Sequence, residues 1–204
     1  MPSKDLQRVL LATVVLITSA SSRTSTSAAA SSDPEPAHIV ERKLDYYDFT
    51  YRTAEGQTFN LRDFSADKKL LIIAYVAGWC ENSNRNGHIL KWLHDKYAGR
   101  GLGVVVVAEY SDAQEIRAHI DRIGIDYPIV SEETSRDRRK KSLHYKYRHE
   151  VGDKRKWGTP FYVFIDRADI GPPQPGSPLA RRVFTVSGEL VEKDADQFVA
   201  TRLP

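Results

Sequence analysis

The stretch Leu70-Leu71-Ile72-Ile73-Ala74-Tyr75-Val76-Ala77-Gly78-Trp79-Cys80-Glu81-Asn82-Ser83 decides how this chain is read. Leu70 through Ala77 is apolar without interruption and stops at Gly78. A short, bounded apolar run of this kind is the pattern of a strand buried on both faces. Trp79 and Cys80 follow directly, and Cys80 is the one cysteine in 204 residues. Ser83 stands three positions on, where a two-cysteine redox motif would carry its second thiol. The segment therefore has the form of a thiol site without the partner for an internal disulfide.

Working outward, Leu44–Arg52 is expected to be a strand. Ala54-Glu55-Gly56-Gln57 reads as a turn, Thr58-Phe59-Asn60-Leu61 as a short strand and Arg62–Ser65 as a turn of helix. After the cysteine, Ser83–Gly99 is predicted helical, with Ile89, Leu90, Leu93 and Tyr97 on one face. Gly101-Leu102-Gly103 breaks that helix, and Val104–Ala108 is a second buried strand. Ser111-Asp112 caps a helix over Ala113–Ile123, whose apolar face uses Ile116, Ile120 and Ile123, and Gly124 ends it. Tyr127–Val130 is a short extended piece and Phe161–Asp166 a strand. A proline-rich loop then leads to an antiparallel strand over Arg181–Val186, a turn at Ser187-Gly188 and a final helix over Asp194–Leu203. Strands alternating with helices and closing in a hairpin imply an α/β fold, a central mixed sheet flanked by helices.

The bulk numbers suit one soluble domain. Apolar residues make up 41% and charged residues 28%, as in an ordinary globular protein. A net charge of +3 is too mild to suggest nucleic-acid binding. The N-terminus is distinctive. Lys4 and Arg8 precede the apolar core Val9–Ile17, and Thr18-Ser19-Ala20 supplies small residues for cleavage. This is the pattern of a secretory signal over residues 1–20. An uncleaved anchor is the competing reading, although the core is short of the roughly 20 residues that span a bilayer. Residues 21–37 are rich in Ser, Thr, Ala and Pro and read as a disordered linker. Structure is expected from His38 to Pro204. An odd thiol in an exported chain implies intermolecular pairing or reactivity, and the compartment is periplasmic or extracellular.

With these elements placed, the chain resembles the thioredoxin superfamily. The nearest branch is the exported TlpA/ResA-like one beside the alkyl-hydroperoxide-reductase/thiol-specific-antioxidant group. The resemblance is carried by Gly56-Gln57-Thr58-Phe59-Asn60-Leu61, by Asp63-Phe64 through Trp79-Cys80, by Val104–Tyr110 with Asp112–Pro128, and by Gly158-Thr159-Pro160 before Phe161–Asp166. It implies a cis proline at Pro160 and a reactive Cys80 at a helix N-terminus, where the dipole and open N–H groups favour a thiolate. It also implies that Trp79, Thr159 and Pro160 face the substrate. Where the branch has its resolving cysteine, this chain has Ser83, which can donate a hydrogen bond to the sulfur but cannot displace one. The branch's glutamate is replaced by Asn86 and its helix-kinking proline by His88. Glu81 beside the sulfur disfavours a thiolate, whereas Arg85 favours one.

The expected activity is that of an extracytoplasmic thiol-disulfide oxidoreductase working through one nucleophile, Cys80, assisted by Ser83. Its partners would be protein thiols or disulfides and an external reductant, either a small thiol or a partner oxidoreductase. Two alternatives differ in class: a redox-inactive module that docks a partner protein, and a one-cysteine peroxidase. Trp157 either walls the thiol site or covers the basic segment. That segment, Arg136–Lys156, holds ten Lys or Arg against three acids. It reads either as a surface for an acidic partner or as a solvated helix and loop. No cofactor is expected, because no phosphate-binding glycine loop is present. No metal is expected either, since His88 and Cys80 lack the further ligands a metal needs. A serine-hydrolase reading fails because Ser83 lacks the Gly-x-Ser-x-Gly setting.

Overall fold

The computed structural model describes residues 34–203. The expected signal sequence and most of the expected linker lie outside the described residues. In chain order the strands are β1 (Pro36–Ala37), β2 (Val40–Tyr46), β3 (Thr50–Thr53), β4 (Thr58–Asn60), β5 (Leu70–Val76), β6 (Leu102–Ala108), β7 (Ile129–Ser131), β8 (Phe161–Asp166), β9 (Ala180–Val186) and β10 (Glu189–Leu190). The α-helices are α1 (Leu61–Phe64), α2 (Glu81–Tyr97), α3 (Ala113–Ile123), α4 (Leu143–Glu150) and α5 (Glu192–Ala200).

Eight strands form one mixed sheet in the order β2-β9-β8-β5-β6-β7-β3-β4. β5, β6 and β7 run parallel, and the remaining neighbours pair antiparallel. Every residue of β5 and β6 is buried, as their unbroken apolar sequences require. Leu70, Ile72, Ala74 and Val76 pack on one face with Leu90 and Leu93 of α2 and Val199 of α5. Leu71, Ile73 and Tyr75 pack on the other with Leu61, Val163 and Tyr147. Burying one such aliphatic side chain is worth about 1.5–3 kcal/mol, so the two central strands anchor both layers. α3 lies where its sequence places it. Asp112 and Glu115 form a reciprocal capping box, and Gly124 ends the helix at φ 72°, a conformation that glycine adopts without penalty.

The expected strand over Leu44–Arg52 is two strands. β2 ends at Tyr46 and β3 starts at Thr50, far apart in the sheet. Asp48 makes the break, because its carboxylate accepts from the Phe49 and Arg62 backbone amides and turns the chain across the sheet. The basic segment divides into a 3-10 stretch, Arg136–Lys141, and α4, whose N-cap Ser142 accepts from the Tyr145 amide. α2 starts at Glu81, so Ser83 lies in its first turn. Packing also begins before His38, since β1 pairs parallel with β10 and the Glu35 carbonyl accepts from the Glu189 amide. Among the described residues no helix is long and apolar enough to cross a membrane.

Candidate active site

Cys80 is the N-cap residue of α2, with extended backbone angles (φ −84°, ψ 119°) and no capping hydrogen bond from its side chain. A helix leaves its first N–H groups unpaired, so the sulfur lies at the positive end of a seventeen-residue helix. The approach to it is fixed atom by atom. Gly78 N–H donates to Ser111 Oγ at 2.8 Å, and Asn84 Nδ2 donates to the Gly78 carbonyl at 3.1 Å. Trp79 Nε1 donates to the Tyr110 carbonyl at 2.8 Å, and Cys80 N–H donates to the Ala77 carbonyl at 2.9 Å. A Cβ on Gly78 would lie 2.4 Å from the Glu115 carbonyl oxygen, so only glycine lets this turn pass the start of α3.

Cys80 is 4% exposed, and its thiol donates to the Thr159 carbonyl at 3.6 Å. The Thr159–Pro160 peptide is cis. Residues 70 to 83 and 158 to 160, distant in sequence, therefore meet at the sulfur. They border a cleft of about 140 Å³ lined by Cys80, Asn82, Glu35, Lys156, Trp157 and Thr159. Ser83 is fully buried, and its hydroxyl accepts from the Ala77 amide at 3.4 Å. That contact leaves the hydroxyl proton for another acceptor. Trp79 and Trp157 meet edge to face at 5.2 Å. Arg136 lies over Trp79 at 4.8 Å, while Arg139 and Lys156 each lie 5.2 Å from the Trp157 ring.

The loop that carries Gly158 and Thr159 is held by two arginines, one buried and one half-buried. Arg148 is 1% exposed and donates to the carbonyls of Asp153, Arg155 and Lys156. Gly158 has φ 68°, and a Cβ there would lie 2.4 Å from Arg148 Cδ. Arg155 pairs with Asp153 and with Glu35, and donates to the Pro160 carbonyl at 3.0 Å. Part of the basic segment is thus internal scaffolding, while Lys140, Lys141, Lys154 and Lys156 remain on the surface.

Asn86 replaces an acid with a neutral clasp. Its Nδ2 donates to the Leu190 carbonyl, and its Oδ1 accepts from Leu190 N–H and Tyr162 O–H. His88 is exposed, and α2 runs through it without a break. Arg85 forms a two-pronged pair with Glu189. His119 is held near Asn84, 2.6 Å from its Oδ1. Burial, with Arg122 nearby, lowers the His119 pKa to about 4. Among the described residues no group of three or more His, Cys, Asp or Glu side chains converges as a metal site would.

Tyr110, His144 and Arg148 belong to this neighbourhood, and the sequence did not single them out. One signal pointed to Tyr110: it follows the C-terminal end of β6, and sites in α/β sheets collect at those ends. No comparable signal marks His144 or Arg148, which reach the cleft only through the fold.

The AhpC/TSA family model matches residues 44–167, well over half of the chain. The chain belongs to the AhpC/TSA family. Solved structures show how this member of the family folds. A secreted Mycobacterium tuberculosis disulfide oxidoreductase homologous to E. coli DsbE superposes with a TM-score of 0.54 at 17% identity, covering 75% of this chain and 95% of that one. A thiol:disulfide interchange protein of the thioredoxin family from Chlorobium tepidum gives 0.57 at 18% identity, with coverage of 80% and 98%. These likenesses establish the thioredoxin-like fold. In sequence, a Citrus sinensis protein named "Probable phospholipid hydroperoxide glutathione peroxidase" is 25% identical over 173 residues, 79% of this chain and 98% of the relative.

Proposed function

We propose that this AhpC/TSA family member is an extracytoplasmic thiol-disulfide oxidoreductase of monothiol type, with Cys80 as its nucleophile. The observation that carries the reading is the placement of Cys80: an N-cap sulfur on a long helix, 3.6 Å from the carbonyl before a cis proline. The thiolate attacks a substrate disulfide, forms a Cys80 mixed disulfide and releases one substrate thiolate. An external thiolate then attacks the mixed disulfide, frees Cys80 and leaves with the other half as a new disulfide. Both steps conserve the number of disulfides, so the protein exchanges partners rather than storing oxidising equivalents. Ser83 donates to the developing thiolate, while Trp79, Thr159 and Pro160 form the rim that receives the substrate. The exposed lysines beside Trp157 suit an acidic partner protein. Export rests on the signal-like N-terminus, and the secreted M. tuberculosis neighbour is in keeping with it.

The test is to trap mixed disulfides with the exported protein and with its Cys80→Ser variant. Wild type should capture disulfide-bearing proteins as mixed disulfides that a small thiol releases, and the variant should capture none. Equal capture by both, or full function in Cys80→Ser, would favour the docking-module reading.

The Citrus relative's name favours a second reading, hydroperoxide reduction. In that case the Cys80 thiolate attacks the peroxide, becomes a sulfenic acid and releases an alkoxide that takes up a proton; thiols then reduce the sulfenic acid. Trapping Cys80 sulfenic acid at low hydroperoxide supports this reading, and mixed disulfide without sulfenic acid supports the first.

A further inference from the structure

Tyr110 is the one residue other than glycine with positive φ, at 54°, among the described residues. A bulky side chain in this region is uncommon and costs about 1–2 kcal/mol. Such outliers gather where a site needs a particular geometry. Here the conformation aims two groups of one residue at the two sides of the Cys80 cleft. The Tyr110 carbonyl accepts from Trp79 Nε1, next to the cysteine. Its hydroxyl lies 3.0 Å from His144 Nδ1, and His144 Nε2 lies 3.1 Å from the Gly158 carbonyl, next to Thr159.

The direction of these bonds follows from the partners. A carbonyl only accepts, so Nε2 carries the imidazole proton. The ring is fully buried, and burial with Arg148 nearby lowers its pKa to about 3, so His144 is neutral. Nδ1 then has a lone pair and accepts from Tyr110 O–H at 3.0 Å, the shorter contact, since the Arg139 carbonyl lies 3.4 Å from the same hydroxyl. Ser142 Oγ contacts the same hydroxyl at 3.1 Å, and Tyr75 stacks on the imidazole at 5.0 Å. The sulfur itself is met by the Thr159 carbonyl, one residue beyond the Gly158 carbonyl that His144 faces.

We infer that Tyr110 and His144 are positioning residues: the Tyr110 hydroxyl fixes His144 as the Nε2–H tautomer, and that N–H holds the Gly158–Thr159 peptide at the distance from Cys80 that disulfide exchange needs. The tautomer part stands on the hydrogen-bond geometry and the burial of the ring, and the catalytic part rests on the oxidoreductase reading above. Without the hydroxyl, the Nδ1–H tautomer becomes accessible. In that tautomer Nε2 presents a lone pair to the Gly158 carbonyl, and the anchor is lost.

The test pairs a spectroscopic readout with a kinetic one on the full-length protein. Long-range 1H–15N spectra report the His144 tautomer, and an aromatic disulfide reagent reports the rate of Cys80 exchange. Wild type should show Nε2–H only. Tyr110→Phe should show mixed tautomers and exchange roughly three- to tenfold more slowly, the scale of one lost hydrogen bond. His144→Gln keeps an N–H in reach of Gly158 and has no tautomers. Adding Tyr110→Phe to it should therefore cost no further rate, whereas a purely structural role for the hydroxyl would lower the rate again. An Nδ1–H signal in wild type, or a Tyr110→Phe variant with unchanged tautomer, overturns the clamp. A mixed tautomer with an unchanged exchange rate overturns its role in positioning. If wild-type Cys80 does not exchange at all, the oxidoreductase reading and the positioning role fall together, and the spectra still decide the tautomer.

Discussion

The two walls of the Cys80 cleft are made differently. On the α2 side the ties around the turn are neutral hydrogen bonds: Ser83 with Ala77, Asn84 and Ser111 with Gly78, Cys80 with Ala77, and Trp79 with the Tyr110 carbonyl. On the Trp157–Pro160 side an irregular loop is drawn down by ionised or ring nitrogen donors, chiefly Arg148, Arg155 and His144. A strand-to-helix turn supplies its own geometry and needs only short side chains to finish it. A loop with no repeating hydrogen bonds must find donors for each carbonyl, and guanidinium groups supply several at once. The first wall should tolerate single losses, and the second should not.

The largest effect should come from acid, which reaches both walls. His119 and His144 have folded pKa values lowered to about 4 and about 3, first by burial, then by Arg122 for His119 and Arg148 for His144. The unfolded chain binds protons near pH 6.5 and the folded chain does not. Their contribution is therefore complete above about pH 6.5 and is lost as pH falls toward 4 and 3, on the order of 1 kcal/mol per unit for each imidazole. Urea unfolding at pH 7 and pH 4.5 measures it. His119→Gln and His144→Gln should each flatten the dependence, and unchanged slopes would mean that neither ring is linked to folding.

Next comes Arg148→Met, which fills similar volume and leaves the Asp153, Arg155 and Lys156 carbonyls without this donor. Stability should fall by about 3 kcal/mol, with the Trp157 fluorescence disturbed. On the other wall, Asn84→Ala should cost about 1–2 kcal/mol. If Asn84→Ala costs as much as Arg148→Met, the contrast between the walls is wrong.

The smallest effect on the cleft itself should come from Glu109, whose side chain does not line it. Glu109 is fully buried, and burial with Glu132 nearby pushes its pKa well above the carboxylate range. The folded form keeps its proton where the unfolded form has released it, so stability declines as pH rises above about 4.5. Glu109→Gln should remove this decline above about pH 4.5 and leave Cys80 exchange unaltered. An unchanged curve would mean that Glu109 is ionised in the fold.

The same contrast explains what the sequence made legible. β5, β6, α3 and β8 were readable because an unbroken apolar run, a capping box and a terminal glycine are local signals. That Cys80 meets Thr159 before a cis Pro160 was readable from the order of the motifs along the chain, which agrees with a thioredoxin-like sheet, and the chemical roles of these residues are the proposal made above. The break at Asp48 was not, because the carboxylate acts on the Arg62 amide, fourteen residues away. Nor was the attachment of Glu35 to Arg155 and Glu189, since a short polar segment gives no periodicity to read. Tyr110, His144 and Arg148 looked like ordinary members of a strand end and a basic helix. Only burial turns them into supports for the loop.

The central claim is that Cys80 is a nucleophile prepared by its place at the start of α2. The direct measurement is its second-order rate with a disulfide reagent at neutral pH, folded and in denaturant, followed by release with a small thiol. The account predicts faster reaction in the folded protein and full recovery of the free thiol. A folded-state rate at or below the denatured one would show a thiol that the fold merely buries, and would contradict it.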